Sequence, residues 1–321
     1  MPRVTALLMC PDLSIIIVNW NTCGLLEQCL RSVRGHDGLT CDVVVVDNAS
    51  FDGSARMVES AFPQVLLLQN RDNLGFAVAN NEGIRARDSR YVLLLNSDTA
   101  VIRNVLQQSV AYMDEHPDVA VMGCRVLNTD GTMQPTCFRY PTLLNLVLKS
   151  SGLFHLPWPR FFGREHYAGW RRDSERDVDV VTGCYMMVRR EAVEQVGLLD
   201  ESFFFFGEET DWCKRFRDAG WAVRFAPVGE IIHYGGASAK KLNHQRDLLL
   251  TQGLVRFHRK HGGVLAAAAA YSILFGFNTT RLALWWVASL VGRKQAWKDR
   301  YRHFAAILCN FRDAWPKVGC A

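Results

Sequence analysis

Residues 91–99 read YVLLLNSDT, a short apolar run that stops at a polar cluster ending in a carboxylate. An uninterrupted apolar run of this length is typical of a strand buried on both faces of a parallel sheet. In open α/β sheets, ligands bind just beyond the carboxyl ends of such strands. Asp98 is therefore placed to hold a divalent cation against phosphate groups. The alternative is that Asn96 and Asp98 only finish the strand with a turn or a helix cap.

Three earlier segments of the chain repeat this pattern of an apolar run that ends on polar residues. Stretches of helical character separate them. Strands that alternate with helices predict right-handed βαβ units and a parallel sheet with helices on both faces. The predicted fold class is therefore α/β, with a mostly parallel sheet. The predicted strands cover residues 13–18, 42–46, 65–68 and 91–95, and the predicted helices cover residues 25–34, 52–61 and 77–86.

The polar residues that follow these strands are expected to meet at one edge of the sheet. They are Asn19, Asp47, Asn73 and Asp98. A Gly-x-Gly-x-x-Gly loop, which would indicate a dinucleotide fold, is missing after the first strand, and a Walker A loop is missing as well. If the sheet binds a nucleotide, it must hold the phosphates with side chains and a metal instead of a glycine-rich loop.

A second acidic cluster follows four phenylalanines in residues 203–212, FFFFGEETDW. Aromatic surroundings raise the pKa of a carboxyl group and favour it as a proton acceptor. Acids also belong in the first turn of a helix, and residues 212–219 have helical character. We therefore assign Asp211 to the helix cap and reserve Glu208 and Glu209 for chemistry. Residues 141–178 show little periodicity and are expected to form an irregular excursion from the sheet.

Taken together, the motifs resemble the family 2 inverting glycosyltransferases with the GT-A nucleotide-sugar fold. More narrowly, they resemble the bacterial rhamnosyltransferase-like branch. The resemblance covers residues 13 to about 236 and implies GT-A-type nucleotide binding by the sheet. Its six pieces are residues 13–21 (LSIIIVNWN), 43–50 (VVVVDNAS), 73–80 (NLGFAVAN), 93–99 (LLLNSDT), 181–190 (VTGCYMMVRR) and 197–215 (GLLDESFFFFGEETDWCKR).

The resemblance implies a nucleotide-binding role for five residues in the first half of the chain. Asp47 would hydrogen-bond the base of the nucleotide, with Asn19 and Asn48 beside it. Asn73 and Gly75 would lie in a loop over the nucleotide sugar.

The resemblance also implies the metal-binding and catalytic residues. Asp98 would be the acid of the metal-binding Asp-x-Asp motif, in which Asn96 replaces the first Asp, and the metal would be Mg²⁺ or Mn²⁺. Glu209 would be the general base. The family usually has Asp at that position, so the assignment stays open between Glu209 and Glu208. His233 matches a histidine that can reach the metal or the diphosphate.

The predicted function is metal-dependent, inverting transfer of a sugar from a nucleoside diphosphate to a hydroxyl group. The resemblance implies a deoxyhexose such as rhamnose from dTDP-rhamnose, and a glycan or polyprenyl-diphosphate-linked acceptor of cell-envelope polysaccharide synthesis. The alternatives are a transferase for another UDP, GDP or dTDP sugar and a nucleotide-sugar-binding protein without turnover. A sugar-1-phosphate nucleotidyltransferase would need a Gly- and Lys/Arg-rich loop, which residues 19–21 do not supply.

The charge distribution divides the chain into a catalytic domain, residues 1–239, and a helical tail, residues 240–321. The tail carries 14 Lys and Arg against 3 Asp and Glu, a net charge of +11, and the remainder carries 23 against 29, a net charge of −6. A basic, aromatic-rich tail favours an anionic membrane surface as partner. A helical cap on the catalytic sheet and a tilted hairpin entering the membrane are the alternatives.

The sequence also favours a cytoplasmic location and argues against nucleic acid as a partner. Nucleic acid is not expected, because long apolar runs separate the cations of the tail. The ten cysteines contain no Cys-x-x-Cys pair and the N-terminus does not read as a secretory signal. We therefore expect a cytoplasmic protein, peripheral at the inner face of a bacterial membrane. The oligomeric state is left open.

Overall fold

The structure is a computed structural model that describes residues 10–34, 38–152, 159–235, 243–292 and 294–316. Its strands are β1 (Leu13–Asn19), β2 (Cys41–Asp47), β3 (Leu66–Gln69), β4 (Tyr91–Asn96), β5 (Thr99–Val101), β6 (Val119–Leu127), β7 (Cys137–Phe138), β8 (Arg176–Asp177), β9 (Val180–Val181), β10 (Tyr185–Arg189) and β11 (Ala222–His233). Its helices are α1 (Cys23–Ser32), α2 (Ser54–Ala61), α3 (Phe76–Ala86), α4 (Val105–Glu115), α5 (Leu143–Ser150), α6 (Pro159–Phe162), α7 (Arg190–Val196), α8 (Glu208–Asp218), α9 (His244–Val291) and α10 (Gln295–Cys309).

The main sheet has the strand order β3-β2-β1-β4-β10-β6-β11-β5, with β8 paired to β11. Strands β1 to β4 are parallel, as the alternation of strands and helices predicts. The apolar residues of β4 are at most 2% exposed, as expected for a strand covered on both faces. One buried cluster joins the sheet to α1, α2 and α4, and a second joins its other face to α3, α7 and α8.

Strand β10 departs from the parallel pattern because it lies between β4 and β6 and is antiparallel to both. A long segment separates β7 from β10. The chain re-enters the sheet after this segment in the direction opposite to β4 and β6. The described part of residues 141–178 also contains a regular helix, because residues 143–150 form α5. Thr142 caps this helix by accepting a hydrogen bond from the Asn145 N–H. A short apolar helix that begins two residues after a proline is not recognised when periodicity is judged over the whole segment.

Helix α9 contains a break in its backbone at Gly263, where φ is 77° and ψ is −174°. Residues on both sides of this break share one apolar core with α10, built from Val255, Ala267, Leu274 and Ile307. By length and composition, α9 is the one helix among the described residues that could cross a membrane, and 22% of its most apolar window is buried.

Basic residues in the first half of α9 contact other parts of the protein. His258 Nε2 lies 2.8 Å from Pro141 O, and Lys260 Nζ lies 2.6 Å from an Asp200 carboxylate oxygen. Arg259 donates to Pro316 O. Up to residue 261, α9 therefore packs against the catalytic part of the chain.

Candidate active site

Hydrogen bonds join the polar residues at the carboxyl ends of β1, β2 and β3. Asn19 Nδ2 donates to Asp47 Oδ1 at 2.8 Å, and both side chains are buried. Asn48 Nδ2 donates to Asn73 Oδ1 at 3.2 Å and to Gly75 O at 3.1 Å. The structure thus brings all five residues of the predicted nucleotide site to one edge of the sheet.

Gly75 allows the loop after β3 to close against the aromatic segment. Its φ is +86°, and a Cβ at this position would lie 2.3 Å from Phe204 O. The Phe76 N–H donates to the same carbonyl oxygen at 2.9 Å. A side chain at Gly75 would therefore push apart two segments that form one wall of the site.

A cavity of about 870 Å³ opens beyond this edge of the sheet. Its volume is within the range of roughly 300–1,000 Å³ that small-molecule sites usually have. Asn19 and Asp47 lie behind its wall and support it, at 0% and 3% exposure. The residues predicted from the sequence that line the cavity are Asn48, Asn73, Gly75, Asn96, Asp98 and His233.

Part of the cavity wall comes from residues that the sequence analysis did not assign to it. Gln134 and the aromatic rings of Phe204, Phe205 and Phe206 contribute to it, and so does the start of α9, where Arg246 is the most informative residue. A cation in the first turn of a helix next to a predicted diphosphate site is the sequence signal for this residue. The basic character of the whole tail hides this signal, because it points to a membrane surface instead.

Asp98 and His233 form a pair in the wall of this cavity. His233 Nε2 lies 3.0 Å from Asp98 Oδ1, and His233 Nδ1 lies 2.9 Å from Gln134 Oε1. If Nδ1–H donates to Gln134 Oε1, the neutral ring carries its lone pair on Nε2, where a metal ion could bind, and protein histidines that bind metals commonly have such a hydrogen bond at the other nitrogen. Asn96 Nδ2 lies 3.4 Å from the same nitrogen.

The Asp98–His233 pair fits a divalent metal that substrate helps to hold. Among the described residues, no group of three or more His, Cys, Asp or Glu side chains is arranged to bind a metal by itself. Mg²⁺ usually takes only one or two protein carboxylates and completes its coordination with phosphate oxygens and water. Two protein donors in a cavity of this size therefore suit a metal that a diphosphate binds from the other side.

Glu208 and Glu209 open α8 and lie in different surroundings. Glu208 is 2% exposed, and burial, together with neighbouring Glu209, raises its pKa well above the ordinary range. Glu209 is half-buried, and its Oε1 accepts a hydrogen bond from the Gly183 N–H at 3.2 Å. Burial raises the pKa of Glu209 as well, whereas backbone N–H donors including Gly183 act in the opposite direction. A carboxyl group with a raised pKa is a good proton acceptor near neutral pH.

Glu209 lines a second cavity, of about 520 Å³, which lies between the catalytic part and α9 and α10. Phe206 lines both cavities, so they meet at this residue. The φ of Phe206 is 69°, an uncommon value for a bulky residue. Phe206 therefore lies at the boundary between the cavity of the Asp98–His233 pair and the cavity of Glu209.

Asp211 does not cap a helix, because α8 already begins at Glu208. Its carboxylate is fully buried and lies 2.8 Å from nitrogen atoms of three basic side chains, which are Arg215, Lys260 and His261. The last two belong to α9. Asp211 therefore holds the tail helix against the helix that carries the acidic pair.

The comparisons with known proteins agree with this arrangement. The model of the family described as glycosyl transferase family 2 matches residues 14–197. The chain belongs to glycosyl transferase family 2. The match contains β1 to β4, the cluster at residues 96–98 and Gly183, and it ends before α8. The family resemblance predicted from the motifs is confirmed.

Two relatives of this family 2 chain are named as sugar transferases. It is 28% identical over 235 residues to N-acetylglucosaminyl-diphospho-decaprenol L-rhamnosyltransferase of Mycobacterium tuberculosis, covering 69% of this chain and 76% of that protein. It is also 28% identical over 229 residues to the low-salt glycan biosynthesis hexosyltransferase Agl10 of Haloferax volcanii, covering 70% of this chain and 68% of that protein.

The fold of this family 2 chain is also found among solved structures. The mannosyltransferase PcManGT of Pyrobaculum calidifontis, solved with GDP-Man and Mn²⁺, matches with a TM-score of 0.52 and 14% identity over 95% of this chain and 86% of that chain. At this identity the match concerns the fold alone. The predicted α/β fold class with a C-terminal helical region is confirmed.

Gly253 offers a test of the contact between α9 and the site in this family 2 chain. A Cβ at Gly253 would lie 2.1 Å from Phe206 O. We expect Gly253→Ala to lower the free energy of unfolding by about 1–3 kcal/mol, because the tail helix would have to move away from the backbone before α8. The melting temperature, measured by circular dichroism, checks this expectation. Gly276→Ala on the same helix is the control, since a Cβ there meets nothing within 4 Å. Equal melting temperatures for the two variants would contradict the contact.

Proposed function

We propose that this chain is an inverting, metal-dependent glycosyltransferase that moves a sugar from a nucleoside diphosphate to an acceptor hydroxyl group. The observation that carries the proposal is the pair of cavities that meet at Phe206. The wall of one contains Asp98 and His233, and the wall of the other contains Glu209. A donor in the first cavity and an acceptor in the second would have their reacting atoms between the two sets of side chains.

Glu209 is the proposed general base. The acceptor hydroxyl group gives its proton to the Glu209 carboxylate as its oxygen forms a bond to the anomeric carbon. The bond between that carbon and the diphosphate oxygen breaks, and its electron pair leaves with the diphosphate. A single displacement from the face opposite the leaving group inverts the configuration at the anomeric carbon, as in inverting glycosidases. Gly183 supports this role because its N–H fixes one carboxylate oxygen and leaves the other for the acceptor.

Asp98 and His233 are the proposed residues for the leaving group. Together they would hold Mg²⁺ or Mn²⁺, which when bound supplies Lewis-acid neutralisation of the diphosphate charge. Gln134 would keep His233 oriented. Asn96 supports the same site as a neutral neighbour in place of a second acid.

The proposed nucleotide site uses the polar edge of β1 to β3. Asn48, Asn73 and Gly75 would contact the nucleotide directly from the cavity wall. Asp47 would recognise the base, with Asn19 holding its carboxylate in place. The rhamnosyltransferase described above supports a deoxyhexose donor such as dTDP-rhamnose. Its name also supports a lipid-linked glycan acceptor of cell-envelope polysaccharide synthesis.

We also propose that the chain acts at the cytoplasmic surface of a bacterial membrane through the far end of its tail. The supporting observation is a set of apolar side chains on α9 that are at least 51% exposed, namely Leu284, Trp286, Val287, Leu290 and Val291. Cations lie close to the indoles of the same region, where Arg300 lies over Trp285. Indoles and cations together favour a membrane interface. The proposed boundary between the catalytic domain (1–239) and the tail (240–321) lies outside the described residues.

A panel of nucleotide sugars tests the proposed reaction without knowledge of the acceptor. We expect slow hydrolysis of dTDP-rhamnose that requires Mg²⁺ or Mn²⁺ and stops when EDTA removes the metal, because water can replace the acceptor hydroxyl group. Release of the nucleoside diphosphate, measured by ion-pair chromatography, gives the rate for each donor. UDP and GDP sugars serve as comparisons, and the fastest of them identifies the donor if the enzyme does not prefer dTDP-rhamnose. A chain that binds nucleotide sugars by calorimetry but hydrolyses none of them would be a binding protein without turnover.

A further inference from the structure

The second cavity has an apolar character that the transfer reaction alone does not require. Helix α5 contributes one wall, both halves of α9 contribute another, and α10 closes it. Its lining is dominated by hydrocarbon side chains, for example Leu146, Leu254, Phe257, Leu274, Phe277 and Ile307. A volume of about 520 Å³ is far larger than the packing defects of a protein core, which rarely exceed a few water molecules. The size and the lining of the cavity therefore favour an apolar ligand.

Polar groups also line this cavity. Besides Glu209, they include the two cations Arg139 and Lys149 and the two further acids Glu165 and Asp247. The ammonium group of Lys149 lies 3.3 Å from Glu165, and its side chain is 57% exposed. Cations of this kind suit a phosphate group at the entrance of the cavity, and the aliphatic wall suits a hydrocarbon chain rather than a sugar.

Exposed apolar side chains of α5 and α9 lie on the same helices that form the walls of the cavity. Helix α5 ends next to α9, since a Cβ at Gly152 would lie 3.8 Å from Arg281 Nη2. Just beyond Arg281, α9 exposes Leu284 and Trp286, and α5 itself exposes Val147. An extended hydrocarbon chain could therefore pass from a membrane along one apolar surface into the cavity, with its polar end next to Glu209.

We propose that the second cavity binds the hydrocarbon chain of a lipid-linked acceptor, next to the phosphate that carries the acceptor sugar. This inference rests on the proposed function, because it assigns the acceptor side of the same reaction. The cavity then acts as a specificity site, since a long-chain acceptor gains apolar contacts that a short-chain acceptor does not make.

Binding of farnesyl phosphate to the full-length protein, measured by calorimetry below the micelle concentration of the lipid, tests the site directly. We expect saturable binding by the wild type and at least tenfold weaker binding by Leu250→Asp, which places a charge in the cavity wall. Leu250 is 39% exposed, so the substitution is compatible with folding. Leu265→Asp is the matched control, because this residue is on the same helix, is 86% exposed and does not line the cavity. Equal affinities of the two variants, or binding that does not saturate, would overturn the proposal.

A sugar-transfer assay in detergent solution, without a membrane, is the second experiment that tests the site. With an acceptor sugar on farnesyl diphosphate, Leu250→Asp should raise KM at least tenfold with little change in kcat. With the methyl glycoside of the same sugar as acceptor, Leu250→Asp should leave the KM for the acceptor unchanged. An equal rise for both acceptors would show a general defect instead of a chain-binding site. If the wild type glycosylates neither acceptor, the proposed function fails, and the calorimetric arm still decides whether the cavity binds a hydrocarbon chain.

Discussion

Glu209→Gln is expected to lower the rate of sugar transfer by about 10²–10⁴-fold, the range that a lost general base usually costs. The amide keeps the size of the side chain and can still accept a hydrogen bond from Gly183, but it cannot take a proton from the acceptor. Steady-state transfer with saturating donor gives the change in kcat. Unchanged melting temperature and unchanged donor binding would show that the loss belongs to the chemical step.

Glu208→Gln is the matched comparison and should retain most of the activity. Among the described residues, Glu208 Oε2 is a buried oxygen with no hydrogen-bond partner. Burial, together with neighbouring Glu209, raises the pKa of Glu208 well above the ordinary range and so favours the protonated, neutral form of this side chain. A neutral amide therefore resembles the native state of Glu208, whereas it removes the charge of Glu209.

The two variants also decide between the neighbouring acids, a question that the sequence left open. When two carboxyl groups share a buried site, the deeper one holds the proton more readily and the other remains ionised. A larger loss in Glu208→Gln than in Glu209→Gln would transfer the role of base to Glu208. Equal losses would contradict the assignment of a single base.

The sequence predicted the centre of the sheet and its polar edge well, and there is a physical reason for this success. A parallel strand buried on both faces must be apolar throughout, so the runs in β1, β2 and β4 can be read locally. Their polar ends then fall at one edge through topology alone. The order of β10 and β6 depends on how a distant segment returns to the sheet, which no local pattern records.

The division of the site into two cavities could not be predicted in the same way. It depends on the backbone of Phe206 at positive φ and on the approach of Gly253, which belongs to the tail helix. Both are contacts between segments that are far apart in the sequence. The basic tail illustrates the same limit, because Lys260 and His261 resemble a surface cluster in the sequence but surround the buried Asp211 in the structure.

Asp98→Asn is expected to lower metal-dependent donor hydrolysis and transfer by about 10²–10³-fold, the loss typical of a removed charge-stabilising group. The amide is the same size as the carboxylate but has no charge, and a divalent cation next to a diphosphate depends on anionic oxygen ligands. Mn²⁺ titrations should also show a higher metal concentration for half-maximal activity. Binding of Mn²⁺ in the presence of dTDP, followed by electron paramagnetic resonance, measures the same weakening without turnover.

Asn96→Asp should strengthen Mn²⁺ binding, whereas Asp98→Asn should weaken it. The two variants together therefore distinguish a metal site from a carboxylate that only finishes the strand. Asn96 lies beside His233, so an acid there adds a second negative charge where the chain now has an amide. Because each added carboxylate strengthens the attraction for a divalent cation, we expect tighter Mn²⁺ binding than in the wild type. If Asp98→Asn and Asn96→Asp both leave Mn²⁺ binding unchanged while the fold is intact, Asp98 only finishes the strand, and the diphosphate must be neutralised by other cations such as Arg246.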